Sequence, residues 1–299
     1  MSNVDAIVAT FVAGQGAALD EATVRRALKE AGVGGAALDW LAPGLAADAV
    51  FDSVDLAGLR THLPSALSGE PVDVVVQALA TRRKLLLVAD MDSTMIEQEC
   101  LDELADFAGM RARISKITAR AMAGELDFEA ALRERVALLA GVTLDEIETL
   151  LTRLTLTAGA RALVSTMRAH GAHTALVSGG FTQFTQPVAE RLGFHEARAN
   201  RLDIVDRALT GDVLAPVQGR EGKRAALVEL RARLGLPRAA TLAVGDGAND
   251  LDMLREAGLG VAYHAKPKVA EAAHARVDSA DLTALLYAQG YRKADIVEQ

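Results

Sequence analysis

Apolar runs that stop at polar clusters constrain this chain more than any other feature of it. Lys84-Leu85-Leu86-Leu87-Val88-Ala89 ends in Asp90-Met91-Asp92-Ser93-Thr94, and Thr174-Ala175-Leu176-Val177 ends in Ser178-Gly179-Gly180. Thr241-Leu242-Ala243-Val244 ends in Gly245-Asp246-Gly247-Ala248-Asn249-Asp250, and between the last two clusters Gly222-Lys223 opens a helical stretch. Short continuous apolar runs read as strands buried on both faces, the habit of parallel sheets. Helical patterns alternate with them from Leu85 onward, which predicts an α/β fold with a mostly parallel sheet and helices on both faces. In such sheets ligands bind beyond the carboxyl ends of the strands. The polar clusters stand at those ends.

Residues 1–80 keep a different rhythm. Val4–Val12 reads as a strand and Leu19–Ala31 as an amphipathic helix with Val24, Leu28 and Ala31 on one face. Extended stretches at Ala36–Leu41 and Ala46–Phe51, a helix at Asp55–His62 and a strand at Val72–Ala78 complete a βαββαβ order, that of a ferredoxin-like sandwich. Pro64–Pro71 reads as a turn-rich connection within it, and Thr81-Arg82-Arg83 as the boundary with the main domain, residues 81–299. Nothing in the first module resembles a catalytic cluster, so its reading is structural or regulatory.

Residues 96–157 interrupt the alternation with helix after helix. Ile96, Cys100 and Leu104 share a predicted face, and Thr143-Leu144-Asp145-Glu146 fits a capping box. An insertion directly after the first strand of the main domain makes sense as a cap that closes over the strand ends and excludes water. Ala197–Val213, with Thr210-Gly211-Asp212, suggests a small hairpin. Pro187 falls inside the helix expected after Ser178-Gly179-Gly180, so that helix either starts near it or kinks.

Composition removes several function classes. A net charge of −8 argues against a nucleic-acid partner, which needs basic surface. One cysteine, Cys100, excludes an internal disulfide and a Cys-based zinc cluster. The first residues lack the pattern of a signal peptide, and no apolar stretch is long enough to span a bilayer, so a soluble, cytoplasmic protein is expected.

The clusters together suit phosphoryl transfer. Two carboxylates at i and i+2 after a strand can divide labour, Asp90 as nucleophile and Asp92 as proton carrier. Attack on an anionic phosphate needs positive charge nearby. Mg²⁺, which takes hard oxygen ligands, would be held by Asp90, Asp246 and the main-chain carbonyl of Asp92, with Asp250 ordering a water. Lys223 would neutralise one phosphate oxygen, and Ser178 with the N–H groups of Gly179 and Gly180 would cradle another. An Asp at position 92 can protonate a departing alcohol and then deprotonate the hydrolytic water, which favours a phosphatase. Taken singly, each cluster has an ordinary reading as a turn, a helix cap or a solvated lysine. Their order along one alternating chain is what favours chemistry.

These motifs resemble the four of the haloacid dehalogenase superfamily, and the match is closer still to phosphoserine phosphatases of the bacterial serine-biosynthesis type. Glu97-Gln98-Glu99, Ile117-Thr118 through Ala121-Met122-Ala123-Gly124, Leu126-Asp127-Phe128, Leu132-Arg133-Glu134-Arg135-Val136 and Ala199-Asn200-Arg201-Leu202 follow the same family pattern. The resemblance covers about residues 84–290 and implies a HAD-like Rossmannoid sheet with a helical cap. It also implies Mg²⁺ as cofactor, O-phospho-L-serine as small-molecule substrate, and an aspartyl-phosphate intermediate in the last step of serine biosynthesis. By that resemblance Asp90 is the nucleophile and Asp92 the acid/base. Ser178, Gly179, Lys223 and Asn249 bind the phosphoryl group, Glu99 meets the substrate ammonium, and Arg135 meets its carboxylate. Met122 and Phe128 supply apolar walls, with Gly180 and Asp250 in support. The N-terminal module is similar to an ACT-like extension in element order alone, and by that analogy a homodimer is expected. A phosphatase for another small phosphomonoester and a non-catalytic amino-acid sensor remain as alternatives.

Overall fold

The computed structural model describes residues 6–298 except 53, 123 and 124, with the side chain of Met122 also outside the description. The first sheet is built from β1 (Ile7–Ala13), β2 (Leu38–Ala42), β3 (Ala46–Phe51) and β4 (Val72–Ala78). It carries α1 (Glu21–Glu30) and α2 (Leu56–Ala66). Its order is β2-β3-β1-β4 with every neighbouring pair antiparallel, the sandwich that the βαββαβ order predicts. The helices begin where side chains satisfy their free N–H groups: Asp20 accepts from Thr23 and Asp55 from Ala57 and Gly58. Val24 and Leu28 of α1 and Leu59 and Leu63 of α2 then bury against Ile7, Ala9 and Phe11. Pro64 departs from expectation. It lies inside α2 rather than in the connection, where the helix ends two residues later.

The opposite side of this sheet docks on the C-terminal segment. Asp73 accepts hydrogen bonds from the N–H groups of Asp278, Ser279 and Ala280, and Gln77 donates to the Ala288 carbonyl. Buried Asp48 pairs with Arg82 at 2.5 Å and accepts from Thr10 at 2.6 Å.

Seven strands form the second sheet. In chain order its elements are β5 (Leu86–Ala89), α3 (Cys100–Phe107), α4 (Arg111–Met122), α5 (Phe128–Ala137), α6 (Leu144–Leu151), α7 (Ala160–Ala169), β6 (His173–Phe181) and α8 (Thr182–Leu192). There follow β7 (Glu196–Val205), β8 (Ala208–Leu214), α9 (Arg220–Arg233), β9 (Thr241–Gly245), α10 (Leu251–Glu256), β10 (Leu259–Tyr263), α11 (Pro267–Ala272), β11 (Ala275–Val277) and α12 (Ala284–Ala288). The strand order is β11-β10-β9-β5-β6-β7-β8, parallel except for β8. Alternate residues of β5 feed two cores. Leu87 and Ala89 pack with Leu176 and Val244, while Leu86 and Val88 pack with Val177, Leu227 and Leu230. Both faces are therefore covered, which is why the β5 sequence is apolar throughout.

Helices α3–α6 fill the expected insertion. An antiparallel bridge between Ile96 and Leu156 closes its base, so Ile96 precedes α3 instead of sharing a helical face with Cys100 and Leu104. Thr143 and Glu146 form the predicted capping box of α6. The 197–213 hairpin is larger than expected, because β7 also pairs with β6 and extends the main sheet. It turns at Asp206-Arg207, both left-handed, and Thr210-Gly211-Asp212 lies within β8. Helix α8 starts at Thr182 and runs through Pro187. Among the described residues no helix is long and apolar enough to cross a membrane.

Candidate active site

Strands β9, β5 and β6 are parallel neighbours, so the polar clusters that follow them meet at the carboxyl end of the sheet. Lys223, in the first turn of α9, joins them from the side. Its ammonium lies 2.6 Å from Asp90 and 2.7 Å from Asp250, and all three side chains are buried. Asp90 also accepts from the Met91 N–H at 2.7 Å, and Asp250 from the Gly247 N–H at 3.0 Å. Asp246 accepts from the Thr94 hydroxyl at 3.0 Å. Carboxylate oxygens of Asp90, Asp246 and Asp250 all fall within 4.8 Å of one another.

Three carboxylates around one ammonium leave this group with excess negative charge. Burial, then the charge of Asp250, push the Asp90 carboxyl well above its ordinary pKa even with Lys223 against it. Burial and Asp250 likewise push Asp246 up to about 6. Burial opposes the charge on Lys223, but Asp250 and Asp90 outweigh it and hold the ammonium above its usual range. A cluster of hard oxygen donors with a surplus of two charges fits a divalent cation, and these carboxylates are the residues that could hold one. The carboxylate of Asp250 belongs to this group and that of Asp92 does not. The ligand expected from residue 92 is its main-chain carbonyl, while its side chain turns elsewhere because the chain leaves the extended form directly after β5.

Asp92 accepts from the Cys100 N–H at 2.9 Å and from the Ser178 hydroxyl at 3.4 Å. Burial raises its carboxyl, while the Cys100 bond and Lys223 work to lower it. Ser178 in turn accepts from the Gly180 N–H at 2.8 Å. A methyl on Gly180 would approach the Asp92 carboxylate and the Ser178 hydroxyl to 3.1 Å, so the missing side chain lets the two loops come together. The strand expected to end at Val177 continues to Phe181 with a bulge through Ser178-Gly179-Gly180.

Glu99 is the residue that precedes α3, and its carboxylate accepts from the Ser93 hydroxyl at 2.7 Å. Ser93 holds a left-handed backbone, φ 53°, to make that contact. Although Glu99 retains solvent contact, the surrounding protein and then the negative charge of Asp92 push its carboxyl up to about 7. Arg135, half-buried on α5, donates to the Ala131 carbonyl, and burial holds its pKa below the usual range while Asp102 and Glu99 partly offset that. Phe128 opens α5 with its ring partly exposed beside Gly179 and Gly219. The Asn249 amide nitrogen is 4.0 Å from where a Gly179 methyl would sit. The expected apolar wall at Met122 lies outside the described side chains.

Sequence reasoning assigned Lys223 to a phosphate oxygen and Asp250 to a water, and did not anticipate the ion pair between them. Sequence reasoning also gave no task to Thr94, Ser93 or the Cys100 N–H. The two hydroxyls directly after the paired aspartates were a usable signal for the first two, whereas a main-chain donor leaves none.

Residues 87–255 match the haloacid dehalogenase-like hydrolase family. A phosphoserine phosphatase of Streptomyces coelicolor is 43% identical over 256 residues, 85% of this chain and 62% of that one. The chain thus spans about three fifths of the length of that relative. Among solved structures, a HAD family hydrolase from Salmonella enterica serovar Typhi superposes with a TM-score of 0.85 at 30% identity, covering 95% of this chain and 98% of the other. A probable phosphoserine phosphatase from Vibrio cholerae gives 0.80 at 34% identity, over 98% and 88%. With the motif strands side by side, the cap inserted after β5 and more than half its length matched, the chain belongs to the haloacid dehalogenase-like hydrolase family.

Proposed function

We propose that this chain is a Mg²⁺-dependent phosphoserine phosphatase that hydrolyses O-phospho-L-serine to L-serine and phosphate through an aspartyl-phosphate on Asp90. The observation that carries this reading is the separation of partners between the paired aspartates. Asp90 stands on Lys223 within the acidic group, and Asp92 stands apart on Ser178 and the Cys100 N–H. One strand end therefore presents a nucleophile and a proton carrier in different environments. The names of the similar proteins point the same way.

A carboxylate oxygen of Asp90 attacks phosphorus as the P–O bond to the serine side chain breaks. Asp92 gives its proton to the departing alkoxide. The Asp92 carboxylate then takes a proton from water, whose oxygen attacks phosphorus and breaks the bond to Asp90. Ser178, the N–H groups of Gly179 and Gly180, and Asn249 orient the phosphoryl group, and Lys223 holds Asp90 in position. Mg²⁺ would be held by Asp90, Asp246 and the Asp92 carbonyl with Asp250 beside it, and would supply charge to offset the phosphate. Glu99 receives the substrate ammonium and Arg135 its carboxylate. We also infer a regulatory role for residues 1–80 apart from the catalytic unit 81–299, a cap over 96–157, a homodimer, and a cytoplasmic setting.

The deciding experiment is phosphate release from O-phospho-L-serine and from a panel of other small phosphomonoesters, with Mg²⁺ and with a chelator. Mg²⁺-dependent release that favours phosphoserine supports the reading. Release that is indifferent to the amino-acid moiety rejects the substrate, and no release from any ester rejects the chemistry.

A further inference from the structure

Asn200 sits at a break in register between two strands. Val177 of β6 pairs with Arg198 of β7, and the next pairing is Phe181 with Asn200, so four residues of one strand pass two of the other. Ser178-Gly179-Gly180 bulges out of the ladder there, and a bulge leaves main-chain groups without strand partners. The Asn200 side chain supplies the missing ones. Its amide nitrogen donates to the Gly179 carbonyl at 2.8 Å and to the Gln218 carbonyl at 3.1 Å. Its oxygen accepts from the Gln218 N–H at 2.5 Å. Asparagine is disfavoured within strands, yet this one is 1% exposed and spends both ends of its amide on main chain.

The two segments it ties are those that carry the site. Gly179 belongs to the loop proposed to hold phosphate, and Gln218 precedes Gly219, the residue from which α9 starts toward Lys223. The same cap side chain touches both. A methyl on Gly219 would come within 2.9 Å of the Phe128 ring, and one on Gly179 would lie 3.7 Å from it. The Phe128 ring thus rests across the two segments that Asn200 ties together.

We propose that Asn200 is a positioning residue that holds Gly179 and Gly219 at a fixed separation, so that Phe128 and the cap close on a prebuilt seat. The inference rests on the phosphatase reading above. Misplacement of a reacting group by about 1 Å can cost on the order of 10²-fold in rate, so a seat held by three hydrogen bonds has kinetic weight.

Steady-state kinetics with O-phospho-L-serine and Mg²⁺ test this on the wild type, Asn200→Ala, Gly219→Ala, Phe128→Ala and the two double variants carrying Phe128→Ala. Each is assayed below the onset of its own thermal unfolding. We expect each single change to lower kcat/KM about tenfold or more. We expect the Asn200→Ala and Gly219→Ala losses to shrink to within about twofold once Phe128 is alanine, since they act through that ring. A merely structural role would give losses that multiply, because loss of folded protein takes no account of Phe128. Multiplying losses, or single variants with wild-type kinetics, overturn the proposal. Should Asn200→Ala fail to fold, Asn200→Asp carries the same cycle, since it keeps an acceptor for the Gln218 N–H and loses both donors, to the Gly179 and Gln218 carbonyls. A wild type that releases no phosphate defeats the phosphatase reading and this inference with it, whereas an active wild type with multiplying losses defeats this inference alone.

Discussion

Lys223 and Asp250 form an ion pair of 2.7 Å with side chains only 1% and 0% exposed, and Asp90 meets the same ammonium from another direction. Removing the ammonium would leave both carboxylates unpaired in a medium that solvates them poorly, whereas removing one carboxylate leaves the ammonium still paired. The catalytic lysine of the proposed reaction is therefore also a structural element.

Lys223→Met should abolish phosphate release and destabilise the fold by about 3–5 kcal/mol at neutral pH, since it strands the carboxylates it neutralised. Denaturant unfolding measures this. The loss should shrink toward pH 5, where Asp246, already raised to about 6, and Asp90 take up protons. An equal loss at both pH values would contradict the electrostatic account.

Asp90→Asn should leave less than about 10⁻³ of wild-type turnover, because the proposed reaction passes through a phosphoryl group on the Asp90 carboxylate. The variant should unfold at or above the wild-type temperature, since burial and Asp250 both oppose the native charge at this position. Residual turnover near wild type would remove the aspartyl-phosphate from the mechanism.

Mg²⁺ should raise the unfolding temperature, and more so at pH 7 than at pH 5. Asp246 has a folded pKa of about 6 against an ordinary value of 3.8, so the metal-free folded protein binds the extra proton between those limits. Its stability accordingly falls as pH rises through that window. Mg²⁺ must displace the same proton, so its apparent affinity should weaken by up to about tenfold per pH unit below 6. Scans with and without chelator that stay a constant distance apart from pH 5 to 7 would refute this.

Glu99, with its carboxyl near 7, should set an acidic limb in kcat/KM for phosphoserine: below that pH it is neutral and no longer attracts the substrate ammonium. Glu99→Gln should lower kcat/KM about tenfold at pH 8 and flatten the limb. A limb unchanged in the variant would assign it to another group.

Arg135→Ala should weaken phosphoserine hydrolysis about tenfold to a hundredfold, and that of a phosphomonoester lacking a carboxylate much less. Equal losses on both substrates would mean that Arg135 serves the cap rather than recognition.

How much could be read in advance varied with the kind of contact. The strand at Val72–Ala78 and that at Ala46–Phe51 have the predicted bounds, because their apolar runs are flanked by turn residues. The α6 capping box was legible because its two partners, Thr143 and Glu146, lie three residues apart. The hairpin itself was legible, but its attachment to β6 was not, since that depends on a neighbour about twenty residues away. Arg133 and Arg135 look alike in the sequence. Folding sends Arg133 to Glu129 and the Val213 carbonyl, leaving Arg135 beside the charges of Asp102 and Glu99.

Order and alternation in the chain alone determined a parallel sheet, a helical insertion and carboxylates at the strand ends, because strand periodicity and turn chemistry are local properties. Only tertiary structure decided that Lys223 binds Asp250 as well as Asp90, that Asp92 turns to Ser178, and that Asn200 repairs a bulge beside Gly179. Those contacts join segments far apart in sequence, and their strength comes from exclusion of water, which no single segment can achieve.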